Sequence, residues 1–104
     1  ISDQSVKENI VDATPKLQDL LDVKIRNFNI KGDQTKQIGV VAQELEEVFP
    51  GMIEENPDGL KSVKYSVFVP ILVKSIRELS SKVDAQQSLI LDLQTEINQL
   101  KGAK

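Results

Sequence analysis

Ser2 and Lys7 are the residues of this chain whose types and spacing best suit chemistry. The 104 residues include neither Cys nor His. That removes thiol catalysis, Cys/His zinc sites and the Ser-His-Asp triad together. Covalent chemistry is left to Ser, Thr, Tyr, Lys and the carboxylates. A serine beside a lysine can stand in for Ser-His, because a desolvated lysine becomes a neutral amine that takes the hydroxyl proton. Such a lysine must titrate near ~7–8 instead of its reference ~10.4, through burial or a neighbouring cation. A spacing of five puts Ser2 and Lys7 on neither one helix face nor one strand face, so the segment must bend to bring them together. Taken alone, the pair is better read as a solvated polar terminus.

The elements that would position the pair fall into three regions. Residues 1–14 are polar and mixed. Thr14 followed by Pro15 reads as an N-cap with proline at the first helical position, opening a short helix through Leu17, Leu20 and Leu21. The second region reads as a compact α+β stretch. Val23, Ile25, Phe28 and Ile30 suggest a strand, and residues 31–34 a turn. Ile38, Val41, Ala42, Leu45, Val48 and Phe49 share one helical face, predicting a helix over 38–49 that Pro50-Gly51 stops. Met52 and Ile53 begin a strand, Asn56-Pro57-Asp58-Gly59 is a hairpin turn, and Leu60, Val63 and Tyr65 lie on the returning strand.

The third region is one long helix, with Ser66 as its expected N-cap and Pro70 in its first turn. No breaker interrupts it before Gly102, a length of about 50 Å at ~1.5 Å per residue. Val69, Ile76, Val83, Ile90 and Ile97 take heptad position a, and Leu72, Leu79, Gln86, Leu93 and Leu100 take d. Every a residue is β-branched, and only Gln86 breaks the apolar seam. This pattern predicts a self-associating coiled coil, with Gln86 fixing register at a cost in stability. In a parallel arrangement Glu96 at g faces Lys101 at e of the neighbour. β-Branched a with leucine at d leans toward two strands, Gln86 blurs that preference, and the heptad leaves dimer and trimer open.

Composition narrows the function classes further. The net charge is −3, with basic residues scattered, so nucleic acid is not an expected partner. No apolar run approaches the ~20 residues of a membrane span, and no secretion signal opens the chain. At 39% hydrophobic and 4% aromatic residues, a globular core would be small, and self-association would support it. The first residue is not Met, which reads as a fragment or a processed product. There is no phosphate-cradling glycine motif, and no cofactor or metal is expected.

Three motifs in order then point to a family. Residues 2–10, Ser2-Asp3-Gln4-Ser5-Val6-Lys7-Glu8-Asn9-Ile10, resemble the opening of the intramolecular chaperone auto-processing domain. That domain ends many phage tail spikes, tail fibres and endosialidases, and occurs in some transcription factors. Residues 38–45 with Pro50 resemble its central helix, and Lys61-Ser62-Val63-Lys64-Tyr65-Ser66 with Pro70 and Leu72 its strand leading into the terminal helix.

The resemblance implies an α+β fold: a small globular head of short helices and a β-hairpin over residues 1–65, then a helix over 66–104 forming a parallel trimeric coiled coil. It implies a homotrimer that templates folding of an upstream β-rich stalk of the same polypeptide, then cuts itself off. By carry-over Ser2 is the nucleophile and Lys7 the general base, while Asp3 orients the turn without a chemical role. Attack on the Ile1 carbonyl, an N-to-O acyl shift and hydrolysis is the favoured route, although the residues leave open which bond flanking Ser2 breaks. The implied setting is the host cytoplasm during virion assembly, with release from the mature fibre. The competing expectation is a non-cleaving trimerisation module retained on a fibre.

Overall fold

A 35-residue helix, α3 (Phe68–Gly102), dominates the molecule, and a small head is built against its first turns. The computed structural model describes residues 1–103, so Lys104, the last residue of the expected coil region, lies outside the described residues. The molecule measures 76 × 45 × 20 Å. In chain order the head comprises a 3-10 turn (Gln4–Val6), α1 (Leu17–Leu21), β1 (Arg26–Phe28), β2 (Gln37–Gly39), α2 (Ala42–Glu46), a 3-10 turn (Pro50–Met52), β3 (Ile53–Glu55), β4 (Lys61–Val63) and a 3-10 turn (Tyr65–Val67) leading into α3. The fold is α+β, as expected, with two hairpins where one was expected.

The β3–β4 hairpin follows its turn chemistry. Ile53 pairs with Val63 and Glu55 with Lys61. Asp58 Oδ1 accepts the Leu60 N–H at 2.9 Å, Gly59 N–H donates to Asn56 O at 2.9 Å, and Gly59 takes φ +84°, which suits glycine. The unexpected hairpin, β1–β2, pairs Asn27 with Ile38, and Gly32 at φ +85° lies in its connection. It overturns the predicted helix over 38–49, which is confined to Ala42–Glu46. Ile38 is exposed on β2, and Val41 is the extended residue before α2. The apolar spacing of 38–49 fits a helix, but β-branched Ile38, Val40 and Val41 suit extended backbone equally, and pairing with β1 decides between them.

The helix starts also differ from expectation. Thr14 does not cap α1; its Oγ1 accepts from Lys16 Nζ at 2.9 Å. Instead Glu78 Oε2, on α3, accepts the backbone N–H groups of Lys16 (2.8 Å) and Leu17 (3.2 Å). These donors would otherwise be unpaired at the helix start. Ser66 does not cap α3, because the chain enters it through the 3-10 turn, with Val67 N–H donating to Lys64 O at 3.0 Å. Pro70 is the third residue of α3, where no intrahelical N–H bond is forfeited.

Leu45 and Met52, each 1% exposed, form the core with Ile71, and Val40, Phe49, Ile53, Val63 and Phe68 pack around them. The head meets α3 through Ile71, Ser75 and Glu78, which share one face. At ~3.6 residues per turn that face lies roughly 110° around the helix from the a/d seam. The seam itself is uncovered in one chain. All nine apolar a and d residues are exposed, from 43% at Leu72 to 74% at Leu100.

Candidate active site

Asp3 creates the bend that brings Ser2 to Lys7. Its Oδ1 accepts the Ser5 backbone N–H at 2.8 Å and the Ser5 hydroxyl at 2.6 Å. A carboxylate reaching two residues ahead stabilises a turn. The backbone closes over it, with Val6 N–H donating to Asp3 O at 3.2 Å and Lys7 N–H to Gln4 O at 3.1 Å. The hydrogen bonds from Ser5, first from its hydroxyl and then from its backbone N–H, hold the Asp3 carboxyl below its usual 3.8.

Within this turn Lys7 Nζ donates to Ser2 Oγ at 2.8 Å. The two residues singled out in the sequence are therefore in direct contact. With Lys7 as a neutral amine, the same contact would run in the opposite sense and carry the Ser2 proton to Nζ. The distance falls within the range for proton transfer between a nucleophile and its base. Sequence reading assigned Asp3 an orienting role but passed over Ser5. The signal for it is the Asp-x-Ser spacing, which places both Ser5 donors within reach of the carboxylate.

The turn is exposed, as is every residue of 1–15. A single chain therefore supplies no burial around the pair. The arm carrying it is anchored at Lys16 and Leu17, whose backbone N–H groups both reach Glu78. Glu78 had no sequence signal: it lies 62 residues from its partner and at heptad position c, outside the seam.

Charge pairs brace the head elsewhere. Arg26 donates to both carboxylate oxygens of Glu44, at 3.0 and 2.7 Å, and Lys61 pairs with Glu46 at 2.6 Å. Among the described residues no group of three or more His, Cys, Asp or Glu side chains is placed to hold a metal ion. No helix among them is long and apolar enough to cross a membrane.

Comparison with known proteins agrees with the motifs. No curated protein matches the chain. A peptidase family model, described as chaperone of endosialidase, matches residues 2–54, which is half of the chain. The match opens on Ser2 and runs through the bent turn, both strands of the first hairpin, α2 and the start of β3. The bent Ser2–Lys7 turn and the small head that follows it thus lie inside one family's boundaries, and the chain belongs to that chaperone of endosialidase family.

Proposed function

We propose that this chain is a C-terminal intramolecular chaperone that assembles as a homotrimer, templates folding of an upstream β-rich stalk, and releases itself by a single-turnover Ser-Lys cleavage beside Ser2. The observation that carries the peptidase role is the 2.8 Å contact between Lys7 Nζ and Ser2 Oγ in a turn built by Asp3. The uncovered a/d seam supports assembly, since a row of exposed β-branched and leucine side chains at heptad spacing is stable in water only against its like.

The chemistry follows from the contact. Lys7 as a free amine takes the Ser2 hydroxyl proton while Oγ attacks the Ile1 carbonyl carbon. The tetrahedral intermediate collapses with loss of the Ser2 nitrogen, which receives the proton from Lys7. An ester between Ile1 and Ser2 Oγ remains. Water hydrolyses it, leaving a carboxylate on Ile1 and a free hydroxyl and amine on Ser2. The chain's own backbone is the substrate, so each active site turns over once.

Coupling cleavage to assembly has a physical rationale. A stalk of interwound chains depends on non-local contacts and loses much chain entropy before they form. A coiled coil assembles from local structure and raises the effective concentration of the stalk ends. Lysine works as a base only when desolvated, and the exposed turn of one chain lacks that surrounding. Packing of the stalk or of a neighbouring chain over the turn would supply it, so that cleavage follows folding. Release then leaves a kinetically trapped stalk.

The test is mass spectrometry of a polypeptide carrying a trimeric stalk ahead of Ile1, as wild type, Ser2→Ala and Lys7→Ala. Two fragments from the wild type and one intact chain from each variant are expected. An intact wild-type chain in a folded trimer would refute the cleavage and leave a retained trimerisation module.

A further inference from the structure

The head carries an apolar groove of about 540 Å³ on the side that faces the seam. Val23, Ile25, Val40 and Tyr65 line it from the head, and Val69 and Leu72 from α3. The last two are the first a and d residues of the heptad, so the groove continues the seam upward into the head. Gly39 keeps it open on the Tyr65 side: a Cβ there would sit 3.3 Å from Tyr65 Oη and 3.2 Å from Phe28 Cε1.

The arm holds apolar side chains that lie largely exposed. Val6, Ile10 and Val11 are 65%, 65% and 84% exposed. We infer that the arm of one copy lies in the groove of a second copy, seated by Ile10 and Val11, so that each Ser2–Lys7 turn is held by a neighbour. The inference rests on the self-association proposed above. A groove continuous with the seam opens toward the position where the next chain must stand. The reach is sufficient, since the five residues from Lys16 back to Val11 span up to ~17 Å when extended, and packed helices lie ~8–10 Å apart. Docking removes apolar surface from water on both sides and brings another chain's surface close to the Ser2–Lys7 pair.

The absence of cysteine makes the exchange directly measurable. Two double variants of the full chain, Val11→Cys with Val40→Cys and Ile10→Cys with Ile25→Cys, are oxidised and run on a denaturing gel without reductant. Each is accompanied by its single-cysteine controls and by sedimentation of the uncrosslinked sample. Covalent oligomers from at least one double variant, above the level in the controls, are expected. Disulfide-closed single chains would place the arm in its own groove and overturn the exchange. Free thiols in both double variants of a sedimenting oligomer would overturn it while leaving self-association intact. A single-chain mass in sedimentation would instead overturn the underlying assembly, and the exchange with it.

Discussion

Replacing Gln86 by leucine should raise the melting temperature of the assembled helix substantially, and the size of the effect follows from the seam. In one chain the d leucines Leu72, Leu79 and Leu93 are 43%, 50% and 47% exposed. Packing the seam therefore hides about half of each side chain. Full burial of a leucine is worth ~1.5–3 kcal/mol, so half is worth about 1 kcal/mol per copy. This is a lower bound, because the wild-type amide also gives up water hydrogen bonds when it is enclosed. For a chain of 104 residues ~1 kcal/mol per copy shifts the midpoint by roughly 4–8 °C, so a rise of that size is expected. Far-ultraviolet circular dichroism at fixed protein concentration gives the midpoint, and sedimentation gives the mass. If a/d packing is not what holds the chains together, the substitution only adds one more exposed leucine to a lone helix. An unchanged midpoint would therefore refute the seam argument.

Other outcomes test the turn, the core and the charge pairs. Asp3→Ala should slow self-cleavage at least ~10-fold in mass-spectrometric time courses, whereas Asp3→Asn, whose amide oxygen still accepts the Ser5 N–H, should keep most of the rate. Neither should move the melting midpoint, because the turn is exposed. Leu45→Ala should destabilise the head by ~2–5 kcal/mol in denaturant titration, as loss of a core side chain 1% exposed does. The Arg26 guanidinium, chiefly by hydrogen bonding, holds Glu44 below its usual 4.5. A folded value below the unfolded one stabilises the head above about pH 4.5, and that contribution is lost as pH falls through the lowered value. Acid titration of head stability should thus show a steeper loss below that point in wild type than in Arg26→Gln, with the two curves converging at the lowest pH.

Legibility along the chain followed the range of the interactions involved. The Asn56-Pro57-Asp58-Gly59 turn was readable because its hydrogen bonds close within five residues. The helix from Phe68 was readable because its period persists for 35 residues. Residues 38–49 misled because their apolar spacing satisfies two periods at once, and only β1, supplied from residues 26–28, chooses between them. The start of α1 misled for a related reason. Thr14 and Pro15 are good local capping residues, yet the N–H groups they precede are satisfied by Glu78 from 62 residues away.

For this protein the sequence by itself determined the elements whose energetics are local: the apolar a/d stripe of α3 and the tight β3–β4 turn. Only the tertiary structure decided where these lie relative to one another. It placed the head on the Ile71–Ser75–Glu78 face of α3, left the a/d face open, and set an apolar groove at the top of that open face. It also placed Lys7 Nζ on Ser2 Oγ and left the pair in solvent. The reason is that hydrophobic periodicity reports which side chains must leave water but not what will cover them, whereas the covering surface comes from residues distant in the chain.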